Sequence, residues 1–114
     1  MYAVDYYEDV RGRKPVEEFI DGLDVKMRAK VFGRLELLEQ EGPSLGMPFA
    51  RALEDGIYEL RTTQGGNITR ILYFFVVGKR IVLTHGFVKK TQKTPQGEIE
   101  RAKRIRNDWR MRHE

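Results

Sequence analysis

The amino-acid sequence predicts an α+β fold, in which helices pack on a mainly antiparallel, twisted sheet of four to five strands. Three observations support it: apolar side chains at helical spacing in residues 15–41, short β-branched segments separated by glycine-containing turns in residues 57–89, and a second helical pattern near the C-terminal end. The predicted order is β-α-α-β-β-β-β-α, with the helices on one side of the sheet. A chain of 114 residues suffices for one core, so a single domain over residues 1–114 is expected.

The first half of the chain supplies one strand and two helices. Residues 2–8 are aromatic and β-branched, which is typical of a strand. Pro15 fits the first turn of a helix whose apolar positions continue to Leu23. Asp24 is expected to cap a second, longer N-terminal helix, which Gly42-Pro43 ends.

The second half supplies the rest of the sheet and a C-terminal helix. Strands are predicted at residues 50–53, 57–62, 68–77 and 80–89. Gly65-Gly66 and Gly78-Lys79 are expected to form two-residue hairpin turns. The strand over 68–77 is apolar on both faces and should be central. Thr94 and Pro95 begin the last helix, whose apolar stripe ends at Trp109.

Positive charge is concentrated in the second half. Residues 1–60 contain 8 Lys/Arg and 13 Asp/Glu, whereas residues 61–114 contain 13 Lys/Arg and 4 Asp/Glu. This asymmetry creates a field that attracts polyanions to the surface built by the second half. Nucleic acid is therefore the expected class of partner.

Composition excludes several other kinds of protein. Without cysteine there is no disulfide, thiolate zinc site or thiol nucleophile, and the reducing cytoplasm is the expected compartment. No apolar run approaches the roughly 20 residues that cross a bilayer, so no membrane association is expected. With two histidines, dispersed carboxylates and no phosphate-binding glycine motif, neither a metal site nor a cofactor is expected.

The predicted hairpins bring basic side chains together. Symmetric closure of the first hairpin places Arg61 directly opposite Arg70. Closure of the second hairpin about Gly78-Lys79 adds His85 and Lys89 to the same face and the same end of the sheet. Two opposed arginines need an anion, which either the carboxylate of Glu59 or a phosphate could supply.

His85 has two interpretations of similar weight. A lone histidine among apolar side chains is often a neutral core residue. Its place beside Arg70, on a strand that leads into a lysine-rich run, instead favours proton transfer near neutral pH.

Three runs of residues resemble a known family. They are residues 68–74 (Ile-Thr-Arg-Ile-Leu-Tyr-Phe), residues 81–95 (Ile-Val-Leu-Thr-His-Gly-Phe-Val-Lys-Lys-Thr-Gln-Lys-Thr-Pro) and residues 98–102 (Glu-Ile-Glu-Arg-Ala). With the Glu-Leu-Arg at 59–61 and the helical pair before it, they make the chain similar to the phage-derived Gp49-like group. That group belongs to the RelE/HigB branch of the RelE/ParE toxin superfamily.

The resemblance implies a RelE-like fold and the toxin of a type II toxin–antitoxin module, which cleaves mRNA, usually in the ribosomal A site. It also implies a partner antitoxin, usually a helix-turn-helix protein. Such cleavage uses the RNA 2′-hydroxyl as the nucleophile and needs no metal. We expect the following catalytic residues: Arg61, Arg70, His85 and Lys90. We expect the following to bind RNA: Lys89, Lys93, Arg101 and Arg104.

Two alternatives from other classes stay open. Sibling toxins of the ParE type share the scaffold and poison gyrase, so scaffold alone does not decide the activity. A non-catalytic module that binds nucleic acid would also explain the charge asymmetry, and would show salt-sensitive binding without cleavage.

Overall fold

The computed structural model describes residues 1–89 and 92–113 and confirms the predicted α+β class and element order. The elements are β1 (Ala3–Tyr6), α1 (Pro15–Asp21), α2 (Val25–Glu41), β2 (Ala50–Ala52), β3 (Tyr58–Gln64), β4 (Asn67–Val76), β5 (Arg80–Val88) and α3 (Gln96–His113). A 3₁₀ turn over Gly42–Ser44 ends the second helix. No helix within the described ranges is both long and apolar enough to cross a bilayer.

The five strands form one sheet in the order β1-β5-β4-β3-β2. The strand predicted to be central, β4, lies in the middle, and residues from both of its faces are buried. Neighbouring pairs from β2 to β5 are antiparallel, while β1 pairs with β5 in parallel. The sheet is therefore mixed but mainly antiparallel.

The first hairpin closes as predicted. Gln64 pairs with Asn67 across a two-residue turn, in which Gly65 and Gly66 take φ values of +56° and +85°. Glycine adopts this left-handed region without the steric penalty that a side chain brings. The resulting register places Arg61 opposite Arg70, which confirms the predicted pairing.

The turn of the second hairpin differs from the prediction. Val76 pairs with Arg80, so the loop has three residues, not the two predicted at Gly78-Lys79. Gly78 and Lys79 both take positive φ values, +91° and +58°, and Val77 lies outside the strand with 96% of its surface exposed. The pairing near the turn is consequently shifted by one residue.

A bulge in β5 restores the predicted pairing at the other end of this hairpin. Tyr73 pairs with Leu83, but the next residue of β4, Leu72, pairs with His85. Thr84 is the extra, unpaired residue between them, as in a β-bulge. His85 therefore lies on the same face as Leu72, as predicted, although the reason is not the symmetric turn.

Helices cover both faces of the sheet, not one side as the sequence suggested. α1 and α2 pack through residues such as Val16, Val31 and Leu38 onto one face. α3 packs through Ala102 and Trp109 onto the other face. The predicted cap of α2 is confirmed, because the Asp24 carboxylate accepts a hydrogen bond of 2.9 Å from the Met27 backbone N–H. The face shared with α3 also carries the predicted basic residues.

Candidate functional site

Three arginines surround one buried carboxylate on the α3 face of the sheet. Glu59, on β3, has no exposed side-chain surface. Its oxygens lie 3.3 Å from Nη2 of Arg51, 3.9 Å from Nε of Arg61 and 3.9 Å from Nε of Arg70. We call these four side chains the arginine cluster. Glu59 is thus the carboxylate that the opposed arginines were expected to need, yet one negative charge faces three positive charges.

Arg70 is the deepest member of the arginine cluster, with no exposed side-chain surface. Its Nη1 donates to the Thr94 hydroxyl at 3.1 Å, and its Nη2 donates to the Gln92 carbonyl at 2.9 Å. The Thr94 hydroxyl in turn donates a short hydrogen bond to Glu59. Burial lowers the pKa of the Arg70 guanidinium, and the Glu59 charge opposes that effect. The residues just before α3 therefore cover Arg70.

Arg61 and Arg51 carry the exposed surface of the cluster. The Arg61 side chain is 20% exposed, and its Nη1 contacts the Met47 sulfur at 3.7 Å. The Arg51 side chain is 40% exposed and projects from the edge strand β2, directly opposite Glu59 in the register. These two guanidinium groups are the ones that an incoming anion can reach.

Sequence reasoning missed Arg51. The predicted strand over residues 50–53 contained it, but no pairing partner was assigned to that strand. The Asp55-Gly56 dipeptide, a common hairpin signal, could have indicated that β2 pairs with β3. Both residues take positive φ values in the loop that joins these strands.

His85 is buried and electrically neutral at pH 7. Its ring is 1% exposed, and its Nε2 lies 3.1 Å from Oε1 of Glu98 on α3. Burial lowers the pKa of His85 to about 4, and the positive charge of Arg101 acts in the same direction, while Glu98 opposes both. This placement matches the first interpretation of the residue, and its catalytic role stays a prediction.

The Thr84 hydroxyl controls the other ring nitrogen of His85. Oγ1 of Thr84 lies 3.1 Å from the Leu72 carbonyl and 3.1 Å from Nδ1 of His85. A hydroxyl has only one proton to donate. Because the Glu98 carboxylate oxygen can only accept, the neutral ring donates to it with its proton on Nε2, and Nδ1 then accepts from the Thr84 hydroxyl.

The remaining predicted basic residues lie around the cluster. Lys89 follows β5, and its backbone N–H donates to the Ile68 carbonyl at 3.0 Å, at the predicted end of the sheet. Lys93 is exposed just before α3. Arg101 and Arg104 are exposed on α3, and the positive charge of each lowers the pKa of His85. Lys90 lies outside the described residues.

No three His, Asp or Glu side chains within residues 1–89 and 92–113 are grouped closely enough to share a metal ion. What the described residues do bring together is a half-exposed set of cations at one end of the sheet. Such a set can bind phosphate groups, because guanidinium forms paired, charge-assisted hydrogen bonds with phosphate oxygens.

Comparison with known proteins identifies a family for this chain. The profile of the family described as "Phage derived protein Gp49-like" matches residues 18–107. No curated protein matches the chain. The matched range contains α2, the strands from β2 to β5 and more than half of α3, including every described residue of the site. The chain therefore belongs to the phage-derived Gp49-like family, which is a family of RelE/HigB-like toxins.

Proposed function

We propose that this protein is a toxin that cleaves mRNA in the cytoplasm as a metal-independent endoribonuclease, acting on the ribosome in the A site. Membership of a RelE/HigB-like toxin family supports the toxin class and implies an antitoxin partner. We expect that partner to be a helix-turn-helix protein. The observation that carries the nuclease proposal is the arginine cluster, in which Arg61 and Arg70 lie side by side with an excess of positive charge.

The reaction follows from the chemistry of RNA. The 2′-oxygen attacks the adjacent phosphorus as its proton leaves, and the bond from phosphorus to the 5′-oxygen breaks as that oxygen gains a proton. The products are a 2′,3′-cyclic phosphate and a free 5′-hydroxyl. The protein must stabilise the charge that develops on the phosphoryl oxygens and must move two protons.

Arg61 is the residue proposed to contact the scissile phosphate, because its guanidinium is partly exposed. Arg70 lies opposite it across the ladder, is covered by the residues before α3, and is proposed to contribute positive charge without touching the phosphate. Lys89 and Lys93 are proposed to hold flanking phosphates, since both lie at the same end of the sheet. Lys90, in the same lysine run, is proposed to assist catalysis.

His85 is proposed to accept the proton of the 2′-hydroxyl. The ring is neutral, and a neutral imidazole has one nitrogen with an available lone pair, which is the form a general base needs. Nε2 now donates to Glu98, so the substrate hydroxyl must replace that carboxylate and the ring proton must pass to Nδ1 before Nε2 can accept. Arg101 and Arg104, on the adjoining helix, are proposed to bind the RNA backbone nearby.

The direct test is cleavage of mRNA by the purified protein, on translating ribosomes in Mg²⁺ and on free RNA in EDTA. We expect new ends within translated regions, each carrying a 2′,3′-cyclic phosphate or a 5′-hydroxyl. Primer extension on cellular mRNA after brief expression checks the same activity in cells. Intact transcripts together with DNA damage would instead identify a gyrase poison. Salt-sensitive RNA binding without cleavage under either condition would identify a non-catalytic module.

Two substitutions test the proposed roles of Arg61 and His85. Arg61→Ala should lower the cleavage rate about 10²-fold, because one preorganised donor to a developing anion is lost. His85→Ala should lower the rate by about 10²–10⁴-fold while RNA binding is retained, as expected for loss of general base catalysis. Lys79→Asn is the matched control: it removes a positive charge at the opposite end of the sheet, and Asn tolerates the positive φ there. Full activity of the His85 variant would remove that residue from the mechanism.

A further inference from the structure

An open cleft of about 520 Å³ lies between β2 and the start of α3, next to the arginine cluster. Its volume is within the range of roughly 300–1,000 Å³ that is usual for small-molecule sites. Arg51 and Thr94 line both the cleft and the cluster, because Arg51 contacts Glu59 and Thr94 bonds to Arg70 and Glu59. A strand bound at the cluster can therefore continue into the cleft.

The charges around the cleft favour an anion. Arg51 and Lys93 lie in its wall, and α3 begins there at Gln96, so the positive end of the helix dipole faces the same space. Glu54 also lines the cleft, but its carboxylate lies 2.5 Å from Nζ of Lys103, which lowers the pKa of Glu54. The described lining thus carries two cations, Arg51 and Lys93, and one carboxylate, Glu54, which Lys103 holds.

The cleft also offers apolar surface suited to a nucleobase. Leu53, from the end of β2, and Ile99, from the first turns of α3, lie in its lining. The Gln96 side chain reaches across the cleft from α3, donating to Oε1 of Glu54 at 3.2 Å and to Oε2 of Glu100 at 2.7 Å. Charged, amide and apolar groups thus converge in one space, as in sites that hold a small ligand by its polar and apolar parts together.

We propose that this cleft binds the nucleotide next to the scissile linkage, with its phosphate on Arg51 and Lys93 and its base against Leu53 and Ile99. The proposal rests on the ribonuclease function proposed above, and it adds a subsite to that function. It assigns to Arg51 a direct contact with RNA, alongside that of Arg61. The two exposed guanidinium groups then hold successive phosphates of one strand, on either side of the buried Glu59.

The test uses a 2′-O-methyl RNA trinucleotide, which cannot be cleaved, and inorganic phosphate as a probe without a base. Dissociation constants are measured by titration calorimetry at fixed salt. Arg51→Gln should weaken the binding of both probes, the trinucleotide about tenfold, and Arg51→Lys should give an intermediate affinity because the charge remains. Leu53→Ala should weaken the trinucleotide about threefold without changing the affinity for phosphate.

Lys79→Asn is again the control variant. Lys79→Asn should bind both probes like the unmodified protein, and thermal unfolding of each variant verifies that it is folded. Unchanged trinucleotide affinity in the folded Arg51→Gln protein, together with normal RNA cleavage, would overturn the subsite and leave the nuclease intact. An equal loss of affinity for both probes in Leu53→Ala would overturn the placement of the base. Binding as expected, but with no cleavage of unmodified RNA, would overturn the nuclease and leave the subsite.

Discussion

The charge state of His85 is set by its immediate neighbours. The ring is enclosed between β5 and α3, stacks on Phe87 with centroids 5.9 Å apart, and lies within the positive field of Arg101. Burial among groups of low polarity disfavours the protonated ring, and so do the nearby positive charges. Folding therefore selects the neutral form, and unfolding releases the ring to its ordinary pKa.

This selection makes stability depend on pH. The pKa of His85 is about 4 in the folded protein and about 6.5 when unfolded, so between these pH values the unfolded state binds more protons. The His85 contribution should therefore fall as the pH drops through this window, by about 2 kcal/mol at pH 5 relative to pH 7.5. Urea unfolding at the two pH values checks it, with His85→Gln as the reference. Equal pH dependence of both proteins would contradict the buried, neutral ring.

At the scale of single residues, the candidate site could be predicted only in part from the sequence. The pairing of Arg61 with Arg70 follows from a two-residue turn, which is a local feature that the sequence contains. The burial of Arg70 depends on Gln92 and Thr94, which are 22 and 24 residues away along the chain. Arg51 joins the cluster only because β2 pairs with β3. Contacts of this kind arise from packing, and residue spacing does not reveal them.

Among the elements, β5 and α1 approach each other at a glycine. A Cβ built on Gly86 would lie 2.4 Å from Cδ2 and 2.8 Å from Cε2 of the Phe19 ring. The absence of a side chain at this position lets the aromatic ring of α1 lie against the strand. The glycine in the sequence run that resembles the toxin family therefore has a packing role, on the face opposite the arginine cluster.

Gly86→Ala should consequently destabilise the protein by about 1–3 kcal/mol, as is usual when a methyl group is forced into a packed site. Gly33→Ala is the matched control, because Gly33 lies within α2 with nothing within 4 Å of the added Cβ. That change should stabilise the protein by about 0.5–1 kcal/mol through helix propensity. Denaturant melts of the two variants make the comparison, and a stable Gly86→Ala protein would show that Phe19 repacks without cost.

The arrangement of whole elements was predicted unevenly. Apolar periodicity located α3, but a stripe of apolar residues shows only that a helix packs, not which face of the sheet it covers. The face is decided by long-range contacts, such as Arg106 Nη2 with the Asp55 carboxylate at 2.7 Å and Tyr7 with Asp108 at 2.6 Å. The second hairpin was misjudged by one residue, because Val77 leaves the ladder and joins Gly78 and Lys79 in the loop.

At the scale of the whole molecule, the division of the chain into an acidic and a basic half matches a division of its secondary-structure elements. The basic second half builds β4, β5 and α3, and it supplies all the named cations of the site except Arg51. Not all of the α3 charge faces solvent, since Arg106 is 8% exposed and holds Asp55. Arg101 and Arg104, both exposed, extend the basic surface along α3 from the arginine cluster.

RNA binding should therefore weaken steeply with salt. For single strands, the slope of log K against log salt is about −0.7 for each phosphate neutralised. Replacing Arg101 and Arg104 together by Gln should make the slope less negative by about 1.4, if each contacts one phosphate. Titrations of a 2′-O-methyl RNA at pH 7.5 measure the slope, and Lys79→Asn should leave it unchanged. An unaltered slope in the double variant would place the RNA away from α3.

The bulge in β5 changes the surroundings of the His85 imidazole but not its partner in the strand pairing. Because Thr84 has no partner across the ladder, a chain without this residue could keep every other pairing between β4 and β5. The ring would remain opposite Leu72 yet lose the hydroxyl that lies 3.1 Å from its Nδ1. The one extra residue of the bulge thus gives the imidazole a hydrogen-bonding neighbour without moving the strand that bears the ring.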